Sequence, residues 1–237
     1  FANCVTTSPV CVPARVSKAT GLYPHNTGVW NNCPHTLSPA GHTWMQAIRD
    51  AGYRTSLFGK THLHPHQGDL RDREHLLHAY GLDDVDEITG PHAASKTRCR
   101  MTNLWEEQGL YEPFKEDIKY RQWGRGLSTH PSPLGAEHHY DTYVGRRAAE
   151  YLRAYDRAQP WFCWVSFAGP HEPWDAPQPY DTMFAPDDMP APLPRIHGEH
   201  DRTEGGLDEH FVQYDKRQEE VSKIDLTSEH TRRLKAN

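Results

Sequence analysis

The sequence has no long apolar run. Its longest, WFCWVSFAG at positions 161–169, is far shorter than the roughly 18 residues that a membrane-spanning helix needs. We therefore expect no membrane span. The first ten residues, FANCVTTSPV, contain no basic start followed by an apolar stretch, so they are not a signal peptide. They also contain no initiator methionine, and we expect that the N-terminus is missing.

An excess of positive charge is also absent. The formal net charge of the 237 residues is −6, which argues against a general nucleic-acid binder. We expect no nucleic-acid partner. A local anion site stays open, because the placement of a few cationic side chains is independent of the total charge.

Paired cysteines of the C-x-x-C type are missing. The chain has five cysteines, and an odd number leaves at least one thiol unpaired within it. A zinc ribbon or a thioredoxin-type motif is therefore disfavoured. Most of the five are expected to be plain buried thiols.

Helix and strand patterns alternate along the chain. Apolar residues recur at helical spacing in 42–53 and again in 141–158, where Asp141 is a candidate helix cap. The segments 53–60 and 160–169 have the composition of buried strands. This order predicts an α/β fold with a mostly parallel sheet sandwiched by helices.

Other segments look less regular. Residues 67–133 are charged and irregular, with a weak helical signal at 73–82, and are predicted to form a variable insertion. Residues 173–206 are rich in proline and are predicted to run over the surface. A final helix is expected at 208–226.

Polar residues follow both predicted strands at their carboxyl ends, the edge where parallel sheets bind ligands. Lys60 and His62 follow the first strand, and an ammonium beside an imidazole suits a tetrahedral oxyanion ester. His171 follows the second strand between Pro170 and Pro173, which would hold its imidazole ready to protonate a leaving alcohol. The alternative is a solvated lysine and two loop histidines.

Three other kinds of site match the residues less well. Gly59-Lys60-Thr61 resembles the end of a P-loop, but that motif needs glycine at position 54, where Arg54 stands. His62, His64 and His66 would share one side of an extended segment, as zinc ligands could, although 17 histidines make chance clustering common. A cysteine phosphatase needs arginine at position 17, which is a serine.

Cys11 has unusual neighbours. Pro13 can start a helix, which places Cys11 near the N-terminal cap, where the helix field favours negative charge. Arg15 lies one turn further on. These surroundings favour a nucleophilic cysteine.

Three motifs resemble those of a known family. CVPARVSKATG at 11–21 resembles the signature of the type I sulfatases, C-x-[PA]-[SA]-R followed by Thr-Gly. GKTHLH at 59–64 is similar to the family's G-K-W-H-L-G, and the Pro-His-x-Pro motif looks like 170–173. The segment GLYPHNTGVWNN at 21–32 also resembles sequences of this family. The resemblance spans nearly the whole chain apart from 67–133.

This resemblance implies an alkaline phosphatase-like fold and a sulfatase mechanism. A formylglycine-generating enzyme would oxidise Cys11 to Cα-formylglycine, whose hydrate attacks sulfur with the help of Ca²⁺ or Mg²⁺ bound in part by residue 11. The arginine Arg15 would brace this residue, and Lys60 would hold a sulfate oxygen. His171 would contact or protonate the leaving oxygen of a sulfated small molecule or saccharide, and His62 would take the proton that expels sulfate.

Some features depart from the family pattern. Lys18 stands where leucine is usual, and Thr61 replaces tryptophan. The acidic metal-binding pairs of the family are expected outside residues 1–237, so the chain is predicted to be part of a catalytic domain. The localisation is not readable from these residues, and the resemblance favours a periplasmic or secreted protein. The alternatives are a phosphonate monoester hydrolase or phosphodiesterase of the same superfamily, an unmatured non-catalytic homologue, and a histidine-rich metal binder.

Overall fold

A computed structural model describes residues 4–122, 129–156 and 158–190 of the chain, without the side chain of Gln122. The helix predicted at 208–226 lies outside the described residues, as does the proline-rich stretch beyond position 190. No helix among the described residues is both long enough and apolar enough to cross a membrane.

Three parallel strands form the sheet of the described chain. They are β1 (Arg54–Lys60), β2 (Asp84–Ile88) and β3 (Trp161–Ser166), in the order β2-β1-β3. Lys60 pairs with Ile88, and Gly59 pairs with Ser166. The carboxyl ends of all three strands therefore meet at one edge of the sheet. The sequence predicted this arrangement for β1 and β3.

Helices cover both faces of this sheet. The described helices are α1 (Cys11–Thr20), α2 (Pro24–Thr27), α3 (Trp44–Asp50), α4 (Glu74–Ala79), α5 (Pro91–Ala94), α6 (Arg100–Glu107), α7 (Tyr111–Gln122), α8 (Gly135–His138) and α9 (Tyr140–Ala154). Leu57 of β1 packs with α1, α3 and α4 on one face, and its neighbour Phe58 packs with α6, α7 and α9 on the other. The alternation of side chains along a strand separates these two cores.

The strand β2 corrects the expectation of an irregular stretch at 67–133. It pairs with β1 through five residues, so this part of the chain contributes to the central sheet. Its two acidic side chains, Asp86 and Glu87, are only 3% exposed. Asp86 accepts hydrogen bonds from Tyr143 Oη at 2.9 Å and from Arg147 Nε at 2.9 Å. Two of the charged side chains in this stretch are therefore buried and hydrogen-bonded within the sheet region.

The cap predicted for the long helix α9 is also corrected. His139, not Asp141, is the N-cap residue, and its ring accepts the backbone N–H of Asp141. The Asp141 carboxylate instead accepts the backbone N–H groups of Ala168, at 2.8 Å, and Gly169, at 3.1 Å. It thereby fixes the loop that follows β3.

Gly59 allows the two long strands to approach each other. Its φ is +119°, and a Cβ added there would overlap the carbonyl oxygen of Ser166. We expect Gly59→Ala to lower the free energy of unfolding by about 3 kcal/mol or more, because backbone strain and a clash inside the sheet add together. Chemical denaturation would measure this loss.

Gly145→Ala is the matched control. Gly145 lies in α9, and a Cβ there would make only ordinary contact with Phe167 at 3.7 Å. Since alanine is the better helix former, this variant should be as stable as the parent or more so. Equal effects of the two substitutions would contradict the role assigned to Gly59.

Candidate active site

The guanidinium of Arg15 joins α1 to the ends of β1 and β3. Its Nη1 donates to the carbonyl oxygen of Lys60 at 2.8 Å and to Ser166 Oγ at 3.1 Å. Burial is the main cause that lowers the pKa of Arg15, and Cys11 opposes this shift. The arginine predicted to brace residue 11 therefore connects the three elements that form this edge of the site.

Cys11 is the first residue of α1, with Val10 as the N-cap. It is half-buried, and its sulfur is a free thiol in this chain. The backbone N–H of the next residue, Val12, donates to Asn32 Oδ1 at 2.9 Å. Asn32 thus anchors the start of the helix, where unpaired N–H groups favour an anion.

Lys60 ends β1 with its side chain almost completely buried, at 2% exposure. Among the described residues, no hydrogen bond or ion pair reaches its ammonium group. Burial and the Arg15 cation lower the pKa of Lys60, whereas Cys11 and Glu172 raise it. A buried cation without a counter-ion is unfavourable by itself and favourable once an anion binds.

His62 has a left-handed backbone, with a φ of 59°, which is rare for a residue other than glycine. Its Nδ1 atom is buried and has no hydrogen-bond partner among the described residues. Burial, with smaller contributions from His66, Lys60 and Arg15, lowers the pKa of His62 to about 2. The imidazole is therefore neutral near neutral pH, and it becomes a useful proton acceptor only when a bound anion offsets Lys60 and Arg15.

His171 lies on the loop after β3 that Asp141 holds. Its backbone N–H donates to the carbonyl oxygen of Ala168 at 3.2 Å, and its Nδ1 lies 2.7 Å from the carbonyl oxygen of Glu172. That contact requires a proton on Nδ1, so Nε2 is left for a ligand. The stiff loop expected from the prolines is thus stabilised by Asp141 as well.

The structure does not bring all the predicted site residues into direct contact with one another. Cys11 and Arg15 lie close enough to act on the pKa of Lys60. Lys60 and Arg15 in turn act on the pKa of His62. His171 joins this group through its neighbour Glu172, which acts on the pKa of Lys60.

The prediction missed His92, whose ring centroid lies 6.0 Å from that of His171. Burial lowers the pKa of His92, and Lys60 adds to this shift. His92 follows the carboxyl end of β2, so recognition of that strand would have revealed it. The same edge rule that selected His62 and His171 applies to it.

Calcium finds no ready set of ligands among the described residues. Ca²⁺ takes about six to eight oxygen ligands, yet the first turn of α1 has no acidic residue. Two side-chain groups in the described chain could hold a metal, namely His64–His66–Glu87 and His92–His171–Glu172. Nitrogen ligands outnumber carboxylates in both, which does not suit calcium. Cys11 as a metal ligand stays a prediction.

A family model described as Sulfatase matches residues 1–225. The multifunctional alkaline phosphatase superfamily protein PehA of Trinickia caryophylli is 29% identical over 225 residues, which cover 92% of this chain and 42% of that protein. An arylsulfatase of Clostridium perfringens is 26% identical over 208 residues, covering 81% of this chain and 40% of that protein. The chain spans less than half the length of these relatives.

A solved structure shows the same fold. The phosphonate monoester hydrolase of Agrobacterium radiobacter superposes with a TM-score of 0.62 at 23% identity, over 98% of this chain and 46% of that chain. The alkaline phosphatase-like α/β fold expected from the sequence is therefore confirmed.

Proposed function

The chain belongs to the sulfatase family, and we propose that it forms part of an enzyme that hydrolyses a sulfate ester through residue 11. The substrate would be a sulfated small molecule or saccharide. A formylglycine-generating enzyme would mature Cys11 before the reaction, since the C-x-P-x-R text is the family's recognition tag.

The observation that carries this proposal is the buried ammonium of Lys60. It forms no ion pair among the described residues, and Arg15 and Cys11, the first residue of α1, are close enough to act on its pKa. A sulfate ester carries one negative charge on its tetrahedral group, which would neutralise this cation. The favourable electrostatics increase as charge develops on the leaving oxygen.

Each side chain has a task that its surroundings support. Formylglycine at position 11, once hydrated, would supply the hydroxyl that attacks sulfur. Arg15 holds α1 against the strands, so that residue 11 and Lys60 keep their separation. The neutral imidazole of His62 accepts a proton once the bound sulfate offsets the charges of Lys60 and Arg15. His171 in its imidazolium form, with a proton on each ring nitrogen, donates the Nε2 proton to the departing oxygen and keeps the Nδ1 proton on the Glu172 carbonyl. A pocket of about 280 Å³ beside His171 offers room for the leaving group.

A direct assay tests this proposal. The full-length protein, isolated from a host that makes formylglycine, should hydrolyse 4-nitrophenyl sulfate with multiple turnovers. The Cys11→Ala variant should not do so, because alanine cannot mature or attack. Equal activity of the parent and this variant would refute a reaction at residue 11.

A phosphonate monoester hydrolase is the second candidate, because the fold is shared with such an enzyme. The same residues would then bind a phosphonate ester, whose tetrahedral group is also a monoanion. Parallel assays with 4-nitrophenyl sulfate and 4-nitrophenyl phenylphosphonate separate the two functions. A larger kcat/KM for the phosphonate than for the sulfate would make the phosphonate monoester hydrolase the first candidate.

The role of His171 predicts a dependence on the leaving group. His171→Gln should lower kcat for an alkyl sulfate by about 10²-fold or more, since a general acid contributes about 10²–10⁴-fold. The loss should be much smaller for 4-nitrophenyl sulfate, whose anion leaves without protonation. Steady-state kinetics on both esters measures the difference, and equal losses would mean that His171 only binds substrate.

A further inference from the structure

A second cluster of polar side chains lies behind the Lys60–His62 segment. Glu87 of β2 is 3% exposed and His64 is 2% exposed, and the side chain of His66 is 4% exposed. His64 Nε2 lies 2.8 Å from Glu87 Oε2, and His66 Nε2 lies 3.1 Å from Glu87 Oε1. The ligand atoms of these three residues all lie within 4.8 Å of one another.

The outer nitrogen of each ring has an oxygen partner. His64 Nδ1 lies 3.2 Å from the carbonyl oxygen of Pro65, which can only accept, so this contact requires a proton on Nδ1. His66 Nδ1 lies 3.1 Å from Thr89 Oγ1. Metal-bound histidines are commonly oriented in this way, with the second ring nitrogen donating to an oxygen. Both Nε2 atoms are left facing the same carboxylate.

The inner side of the cluster brings a nitrogen lone pair of His66 against the Glu87 carboxylate. The backbone N–H of His62 donates to His66 Nε2 at 3.3 Å, which requires a lone pair on that nitrogen. The same nitrogen faces Glu87 Oε1, and two acceptors repel each other. Thr61 Oγ1 donates to Glu87 Oε1, but no lysine or arginine of the described chain forms an ion pair with this carboxylate. A buried carboxylate needs a nearby positive charge, which either a proton on His64 or a metal cation supplies.

We propose that His64, His66 and Glu87 bind a transition-metal dication, for which Zn²⁺ is the best fit. Two imidazole nitrogens and one carboxylate oxygen are ligands that zinc accepts in a tetrahedral site. This site is separate from the cation predicted at Cys11, which calls for oxygen ligands. Its charge would balance Glu87, and its bonds would fix the 61–66 segment that carries His62.

A pocket of about 240 Å³ opens onto the proposed metal site and has room for a fourth ligand. Its lining includes His62, His64, His66, His35 and Cys33. His62 Nδ1 and His35 Nε2 are buried and have no partner among the described residues. These nitrogens can hydrogen-bond a water molecule in the pocket, and that water can complete the coordination of the metal.

Cobalt titration tests this site without any assay of hydrolysis. The full-length protein is stripped with a chelator, returned to buffer with excess Ca²⁺ so that oxygen-ligand sites are filled, and titrated with Co²⁺. We expect the intense visible absorption of tetrahedral Co²⁺, saturating near one ion per chain and abolished by Zn²⁺. Glu87→Gln should weaken binding by at least about 100-fold, more than the usual loss on changing a residue that only orients a metal ligand.

His92→Gln is the matched control, because it removes a histidine from the other candidate metal group and should leave the affinity unchanged. Zinc-edge X-ray absorption of the unaltered protein keeps the test decisive if Glu87→Gln does not fold, and should show about two imidazoles and no sulfur. The proposal is overturned if cobalt does not bind, if Glu87→Gln binds normally, or if zinc has only oxygen ligands. A buried imidazolium–carboxylate pair would then remain, and the proposed sulfatase reaction would be unaffected.

Discussion

Lys60→Met is expected to lower kcat/KM for a sulfate ester by about 10²–10³-fold, the usual effect of removing one preorganised group that stabilises transition-state charge. It should also leave the folded protein at least as stable. The lowered pKa of Lys60 means that the folded state binds this proton less tightly than the unfolded chain does. At neutral pH the charged lysine therefore disfavours folding, and methionine fills the same space without the charge.

Lys18→Met is the control for this substitution. Lys18 lies on α1, the helix that begins at Cys11, but its side chain is exposed and its Nζ atom lies 5.2 Å from the ring centroid of Trp164. Its loss should leave kcat/KM within about twofold, since surface charges contribute little. Kinetics and thermal unfolding of both variants, with and without sulfate, measure the effects. A Lys60→Met variant that keeps its activity, or that sulfate stabilises as well as it does the parent, would refute the anion site.

Cys11→Ser is expected to form a covalent sulfate ester at residue 11 that is not released. The serine hydroxyl would form a bond to sulfur while the bond between sulfur and the leaving oxygen breaks, and the leaving alcohol takes the proton. Because serine has one hydroxyl, no second hydroxyl is present to expel sulfate. The variant should stop after one transfer and gain about 80 Da at residue 11, as expected for an added sulfate group.

Peptide mass spectrometry after incubation with 4-nitrophenyl sulfate detects this product. Cys4→Ser is the control, because Cys4 is an exposed free cysteine outside the site and should gain no mass. Continued turnover by Cys11→Ser would contradict the role of a second hydroxyl. A variant that neither turns over nor gains mass would contradict attack from position 11.

Much of the sheet was predictable because its strands are apolar. The segments that became β1 and β3 have clear buried-strand composition, and α3 and α9 have clear helical spacing. The strand β2 was missed because Asp86 and Glu87 have the appearance of surface charges. Their partners come from α9 and from the segment after β1, far away in sequence. Local patterns do not contain that information.

Local patterns also selected most residues of the candidate site. The edge rule selected Lys60, His62 and His171, and helix-end electrostatics selected Cys11. The bond from Arg15 to Ser166 and the contact of Asp141 with the loop after β3 connect residues 27 or more positions apart. Such contacts depend on how the elements pack, so the sequence alone assigned Asp141 to a helix cap.

The mass of residue 11 in the mature protein tests the central claim most directly. If Cys11 is converted to formylglycine, its tryptic peptide from the native host should be about 18 Da lighter than the cysteine form, and carbonyl reagents should label it. We predict this lighter peptide in protein that hydrolyses sulfate esters. An unmodified thiol at residue 11 in fully active protein would contradict the account.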